Sequence, residues 1–312
     1  MPSSCKRMGS AGAGPAASRA FRAAIPPTNR RSFLAFLLSA CLAVVAVPGV
    51  GGFASAGTIG TTGSPEPSFP PLEAIEATAY VVMDRLTGAI LLERNGQASL
   101  YPASTTKILT ALLALETLDP AQVATASAEA VMLPEGSSSI GLEEGERLPV
   151  RDLLYGLMLA SGNDAANVLA ETAAGGIEAF AKQMEGRARE LGALDSSFRN
   201  PSGLHHPEHR TTARDLLVLA RAAMARQDFR DLVSTPSWAL PPTNRHPYLG
   251  WGVLTSTNRL MLHQAGAFES ERLRSVSGIK TGATPLSGSN LVTSATTADG
   301  VELLAAVMGV PK

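Results

Sequence analysis

The order of segments is the strongest constraint on what this chain can fold into. Two β-prone runs, 78–84 and 89–93, open the body of the chain. Leu- and Ala-rich helical patterns fill the middle, and strand character returns only at 275–280, 290–296 and 301–308. A strand must find partners for its backbone N–H and C=O groups. The first and last runs are therefore predicted to pair across the whole helical insertion. Arg85-Leu86-Thr87-Gly88 separates the first two runs and Gly300 the last two, so each pair reads as a hairpin. Helical spacing recurs at 106–116, 151–160, 164–174, 177–191 and 212–226; in the last, Asp215, Leu216, Leu219 and Ala220 show the three-four repeat. The expected fold class is α+β: an antiparallel sheet of about five strands flanked by helices, with an inserted, mostly helical region. A cleft between sheet and insertion is the natural place for a substrate.

Charge divides the chain differently. Residues 1–56 hold six bases (Lys6, Arg7, Arg19, Arg22, Arg30, Arg31) and no acid, whereas the rest carries 20 bases against 27 acids. An acidic body argues against nucleic-acid binding, which needs Lys and Arg to neutralise phosphates. The uncharged apolar run 33–50 follows Arg30-Arg31 and ends near Ala54-Ser55-Ala56. That pattern predicts an export signal over 1–56, removed after Ala56. Asn29-Arg30-Arg31-Ser32-Phe33-Leu34 also fits a twin-arginine address. Leu38-Ser39-Ala40-Cys41 offers a lipoprotein site as a rival, and an uncleaved anchor is a third option. All three put the body outside the cytoplasmic membrane, with membrane contact only through an uncleaved or lipidated leader. Residues 57–72 are rich in Gly, Thr, Ser and Pro and read as a linker, leaving 73–312 as the folded domain. Both cysteines, Cys5 and Cys41, fall in the leader, which excludes a disulfide framework, Cys-ligated zinc and a Cys nucleophile from the body.

Three short segments carry candidate chemistry. In Pro102-Ala103-Ser104-Thr105-Thr106-Lys107, a serine and a lysine three residues apart share one helix face at a helix start. A serine hydroxyl is a weak nucleophile and needs a base, and a lysine serves only when its pKa is lowered. Ser3 and Lys6 show the same spacing, and a helix cap followed by a solvated lysine is the competing reading. Ser161-Gly162-Asn163-Asp164 lies between two helical runs, where it could aim a hydroxyl and an amide into a cleft or simply cap a helix. Lys280-Thr281-Gly282 stands at the end of the strand predicted over 276–280. There Lys280 and Thr281 could hold a carboxylate while Gly282 permits close backbone approach. His205, His206, His209 and Glu208 suggest a metal site, but Pro207 disfavours the helix that would align them, and a polar loop is expected. Trp238, Tyr248 and Trp251 lie among prolines and are expected to pack a loop.

Together, in this order and 57 and then 119 residues apart, the three segments resemble the penicillin-recognising serine enzymes. The flanks narrow the resemblance to the D-alanyl-D-alanine carboxypeptidases, the low-molecular-weight penicillin-binding proteins. They read YPASTTK at 101–107, SGNDA at 161–165, NPSGL at 200–204, TTARDL at 211–216, NRL at 258–260 and GIKTG at 278–282. The resemblance implies a β-lactamase/transpeptidase-like fold and a cofactor-free, metal-free serine mechanism. Ser104 would be the acylated nucleophile and Lys107 its base, with Ser161 and Asn163 assisting proton transfer and holding the peptide. Lys280 and Thr281, with Gly282 and Ala283, would bind the substrate; the N–H groups of Ser104 and Ala283 would form the oxyanion hole. It implies removal of the terminal D-Ala from peptidoglycan stem peptides ending in D-Ala-D-Ala, with β-lactams as covalent inhibitors.

Class A β-lactamases add a deacylating Glu-x-x-x-Asn, but 193–204 (ALDSSFRNPSGL) has no glutamate, so fast β-lactam hydrolysis is not expected. A DD-transpeptidase or endopeptidase differs only in which nucleophile or bond is used, and a catalytically silent wall-binding protein would not need the Ser-Lys pair. Family members usually continue past the last strand with a helix, whereas this sequence stops at Val310-Pro311-Lys312. The expectation is a missing final helix and uncovered apolar sheet surface.

Overall fold

The computed structural model describes residues 75–262 and 273–311. The leader, the linker and both cysteines lie outside the described residues. In chain order the elements begin with β1 (Ala79–Asp84) and β2 (Ile90–Arg94), and a 3-10 turn (Ala103–Thr106) that runs into α1 (Lys107–Thr117). The insertion continues with β3 (Val123–Thr125), α2 (Ala128–Val131), β4 (Arg147–Pro149), α3 (Val150–Met158), α4 (Asn163–Ala174) and α5 (Ile177–Leu191). It ends with α6 (Ala213–Ala223), α7 (Gln227–Ser234), β5 (Ser237–Ala239), β6 (Val253–Thr255) and α8 (Arg259–Leu262). The last three strands are β7 (Leu273–Thr284), β8 (Gly288–Thr297) and β9 (Glu302–Val310).

The first and last strands pair as expected: β1 runs antiparallel to β9, with Ala79 opposite Met308 and Val82 opposite Ala305. The five-stranded sheet has the order β2-β1-β9-β8-β7, antiparallel throughout. β7 is thus an edge strand, with a row of backbone groups available to an extended partner. Its length corrects the sequence reading. Pairing with β8 continues to Thr284 opposite Gly288, so Lys280-Thr281-Gly282 lies inside the strand and not at its end. One further helix and two small ladders were not anticipated. The helix expected over 212–226 stops at Ala223 and a separate α7 follows, while β3–β4 and β5–β6 form two small ladders within the insertion.

Helix α1 is the hub. Its first eight residues, Lys107 to Ala114, are all buried. A helix apolar on every side belongs in a core, and burying each of Ile108, Leu109 and Leu112 contributes about 1.5–3 kcal/mol. One continuous core joins α1 to α3, α4, α5, α6 and the inner face of the sheet through Phe180, Phe198, Leu216 and Val292. The other sheet face gathers Tyr80, Val82, Leu291, Leu303, Ala305 and Val307 into a second cluster with Ile75, Ala77 and Leu260. These sheet residues are buried, at 4% exposure or less, so the expected uncovered apolar surface is not found on them.

Trp238 and Trp251 pack as expected. Trp238 stacks on Tyr155 and donates to Asp152, and Trp251 stacks on His246 and donates to the Pro241 carbonyl. Tyr248 does not follow them: it stands 76% exposed.

Candidate active site

The 3-10 turn at the start of α1 is held from three directions. Below it, Asn290 of β8 donates to both the Tyr101 and the Pro102 carbonyls at 2.9 Å, while its own carbonyl accepts from Gly309 N. Beside it, the Thr105 hydroxyl closes back on the Pro102 carbonyl at 2.8 Å. Above it passes the 200–204 loop. Asn200 Oδ1 organises that loop by accepting from Ser202 N, Ser202 Oγ and Gly203 N, and Asn200 Nδ2 donates to the Leu204 carbonyl. Gly203 has a φ of +83°, and a Cβ there would stand 1.9 Å from the Ala103 carbonyl oxygen. Gly282 of β7 presses in from the sheet: a Cβ on it would meet Ser104 N at 2.8 Å.

This clamping brings three of the predicted residues together. Lys107 Nζ lies 3.1 Å from Ser104 Oγ, 2.7 Å from Asn163 Oδ1 and 2.7 Å from the Ser202 carbonyl. A neutral amine has two N–H bonds and one lone pair. Two carbonyl acceptors take both hydrogens, so the lone pair is left facing the serine hydroxyl. The electrostatics favour that form. Burial pushes Lys107 well below the ordinary lysine value, the Lys280 cation pushes it further, and the Asp164 carboxylate only partly opposes them. Lys280 is also buried, which alone lowers it to about 7, and its Nζ donates to the Thr281 carbonyl at 3.2 Å.

Ser161 and Asn163 bracket the junction of α3 and α4. Ser161 is 6% exposed with a φ of 63°, and its hydroxyl has no hydrogen-bond partner among the described residues. Only Asn95, Ala103 and Ser161 hold a left-handed φ among the described non-glycine residues. Of these, Ala103 directly precedes the candidate nucleophile Ser104 and Ser161 is itself a candidate site residue, as strained backbone tends to occur at working sites. Asp164, next to Asn163, is spent elsewhere: it accepts from the Ser139 hydroxyl and from the N–H groups of Ile140, Gly141, Leu142 and Ala165. It pins the 138–142 loop, whose Ser138 carbonyl accepts from Asn163 N.

Sequence reasoning missed several of these residues. Asn200, Ser202 and Gly203 appeared only as part of a motif, although Asn-Pro-Ser-Gly is a turn signature that could have singled them out. Nothing local marks Asn290. Lys107 was assigned no partner besides Ser104, whereas Asn163 and Ser202 both engage it. His209 is also corrected. It is not part of a polar loop but is 1% exposed, edge-on to Phe198, with Nε2 2.9 Å from Thr106 Oγ1. Arg199 N donates to its Nδ1, which fixes the proton on Nε2, so His209 donates to Thr106. His205 and His206 are exposed, His205 edge-on to Tyr101 and His206 Nδ1 accepting from Glu208 N, and among the described residues no three His, Cys, Asp or Glu side chains are grouped to hold a metal ion.

A family profile described as D-alanyl-D-alanine carboxypeptidase matches residues 64–312. The chain is 35% identical over 216 residues to the D-alanyl-D-alanine carboxypeptidase DacF of Bacillus subtilis, covering 68% of this chain and 52% of that protein. It is 34% identical over 254 residues to DacD of Escherichia coli, covering 78% and 61%. The chain thus spans about half to three fifths of these relatives' length. Among solved structures, a D-alanyl-D-alanine carboxypeptidase of Mycobacterium tuberculosis superposes with a TM-score of 0.66 at 32% identity, covering 76% of this chain and 84% of that one. A mutant Streptomyces DD-transpeptidase gives 0.69 at 27%, covering 76% and 92%.

Two outcomes are expected. Gly203→Ala will force the 200–204 loop off the Ala103 carbonyl, at a cost of about 1–3 kcal/mol for the strained backbone. It will also slow any reaction at Ser104, because the Ser202 carbonyl leaves Lys107; denaturant melts and active-site labelling measure the two effects. The second concerns pH. His209 holds off its proton until about 3, against an ordinary 6.5. The unfolded chain binds that proton first, so its contribution is complete above 6.5 and is lost as pH falls toward 3. The slope approaches about 1.4 kcal/mol per pH unit. His209→Gln is expected to be less stable at neutral pH but to lose less stability than the parent between pH 6.5 and 4.5 in parallel urea melts.

Proposed function

The chain belongs to the D-alanyl-D-alanine carboxypeptidase family, and from that membership and the cleft geometry we propose that it is a serine-type D-Ala-D-Ala carboxypeptidase of peptidoglycan stem peptides. The observation that carries the reading is buried Lys107 Nζ, 3.1 Å from Ser104 Oγ and 2.7 Å from each of two carbonyl oxygens, with burial and Lys280 favouring the neutral amine that can take the Ser104 proton. In this reading the Ser104 proton passes to Lys107 Nζ as Oγ attacks the penultimate D-Ala carbonyl. The N–H groups of Ser104 and Ala283 receive the developing oxyanion. The C–N bond then breaks, and the Ser161 hydroxyl gives its proton to the departing D-Ala amine and is reprotonated from Lys107. Water hydrolyses the ester and restores Ser104. Lys280 and Thr281 hold the terminal carboxylate.

Residues 73–312 are the catalytic unit in this proposal, exported behind the 1–56 leader to act on the wall outside the cytoplasmic membrane. Among the described residues no helix is long and apolar enough to cross a membrane. Transfer to an acceptor amine in place of water is the second reading, favoured by the structural likeness to a DD-transpeptidase.

Mass spectrometry after penicillin exposure tests the proposal. One drug adduct on Ser104, lost slowly, is expected, together with release of free D-Ala from a peptide ending in D-Ala-D-Ala. A label on another residue, or rapid drug turnover, overturns it.

The two lysines give a further expectation. Acylation needs Lys107 neutral and Lys280 charged, so kcat/KM should be bell-shaped in pH. Lys107 sets the rising limb and Lys280 the falling one. Lys107→Ala should lose about 10²- to 10⁴-fold in acylation rate. Lys280→Ala should bind the carboxylate about 1.5–3 kcal/mol less well. It should also abolish the falling limb and move the rising limb to higher pH, because Lys107 loses the neighbouring cation. Stopped-flow labelling across pH reads all three; parent-like acylation by Lys107→Ala near neutral pH would exclude Lys107 as the base.

A further inference from the structure

A cavity of about 440 Å³ lies where the β1–β2 turn meets the ends of α5 and α6. It is remote from Ser104, and β9 shows the separation. Gly309 N donates to Asn290, which holds the Ser104 turn, whereas Leu303 stands opposite Asp84, the last residue before the β1–β2 turn. Those two positions are six residues apart along the strand, about 20 Å. Met83 of β1, Leu191 of α5, and Val218 and Ala222 of α6 give the cavity an apolar wall, and Arg85 and Arg221 line it as well. Leu86, 68% exposed, stands among them.

Both guanidiniums are fixed in place. Arg221 Nε and Nη2 donate to the Arg85 and Leu86 carbonyls, each at 2.8 Å. Gly88, with a φ of +75°, packs so closely that a Cβ on it would stand 3.1 Å from Arg221 Nη1. Arg85 Nε is paired with Glu302, and the Arg85 side chain is only 13% exposed. An arginine has five N–H donors. Arg85 therefore keeps four of them, and Arg221 three, without an acceptor among the described residues. The chain beyond the leader carries more acids than bases, yet among the described residues no acid lines this cavity. Glu302 answers one of the two cations, so one positive charge is left over.

We propose that this cavity is a binding site for a small amphipathic carboxylate. Its head sits on the free N–H groups of Arg85 and Arg221, and its apolar body lies along Met83, Leu191, Val218 and Ala222. A guanidinium and a carboxylate make charge-assisted, geometrically matched hydrogen bonds. A bare inorganic anion would leave the apolar wall against water. An uncharged hydrocarbon would cover the guanidiniums without giving them an acceptor. The volume is that of a small-molecule site. The inference is independent of the reading of the Ser104 cleft.

The test titrates the full chain by calorimetry with decanoate, 2-naphthoate, inorganic phosphate and decyltrimethylammonium, all below micelle-forming concentrations. One equivalent of decanoate or 2-naphthoate is expected to bind, the tighter of the two showing whether the body is a chain or a ring system. Phosphate and the cationic amphiphile should bind at least tenfold more weakly. Arg85→Gln and Ala222→Glu should each weaken carboxylate binding at least tenfold while keeping the parent's circular dichroism and cooperative melt. A second measurement needs no variant: the bound carboxylate should protect Arg221, and not the exposed Arg147, from phenylglyoxal, read by peptide mass spectrometry. The proposal is overturned by a parent that binds neither carboxylate, by equal affinity for decyltrimethylammonium, by undiminished binding in either folded variant, or by unprotected Arg221.

Discussion

An ammonium group taken out of water costs several kcal/mol unless a counter-charge or good hydrogen bonds replace its hydration. Lys107 is 0% exposed, on a helix buried for its first eight residues. The surroundings answer with neutral acceptors, Asn163 Oδ1 and the Ser202 carbonyl, and not with an adjacent carboxylate. Such acceptors stabilise the charge less than a carboxylate would, so burial and the Lys280 cation prevail and favour the neutral amine. Asp164 sits one residue from Asn163, yet its oxygens are committed to the 139–142 segment and Ala165. An aspartate at 163 would pair directly with the amine and hold it cationic; the amide at that position is what leaves a lone pair for Ser104.

Lys280 presents the same problem in milder form. Burial lowers it to about 7, from an ordinary 10.5. Between those values the unfolded chain keeps a proton that the folded chain has lost, so this contribution makes the fold more stable as pH rises through that window. At neutral pH and below, the fold bears the cost of a buried cation. The cost has a local use: the Lys280 charge adds to the lowering of Lys107, and an arriving carboxylate would relieve it. Left-handed backbone at Ala103 and Ser161 is a second cost carried at the same place.

Much of this was legible from residue order. Spacing of three on a helix puts Ser104 and Lys107 on one face, and segment order alone forces β1 onto β9. What could not be read shares a different physics. Asn290 acts on carbonyls 188 and 189 residues away, Lys107 on a carbonyl 95 residues away, and His209 on a hydroxyl 103 residues away. These are bonds between a polar side chain and a distant partner, often a main-chain carbonyl that carries no side-chain signature. Periodicity reports which face of an element is buried; it does not report which buried polar group answers which carbonyl. β7 ran past its predicted end for a related reason. Lys280-Thr281-Gly282 looks like a strand terminus by composition, but ten cross-strand positions on β8 hold it extended.

The cleft therefore depends on three separate stretches of chain meeting at one turn. The start of α1 supplies Ser104 and Lys107, the insertion supplies Asn163 and Ser202, and the closing sheet supplies Gly282 and Asn290. Each joint uses a feature that tolerates little change: a missing Cβ at 203 and 282, a side-chain amide at 163, 200 and 290. An amide offers both a donor and an acceptor without charge. In the proposed mechanism, which needs one buried lysine neutral beside another that is charged, uncharged fasteners hold the geometry without disturbing the proton balance. Carboxylates at those positions would shift both lysines upward, and at 200 and 290 they would also lose the bonds donated to the Leu204, Tyr101 and Pro102 carbonyls.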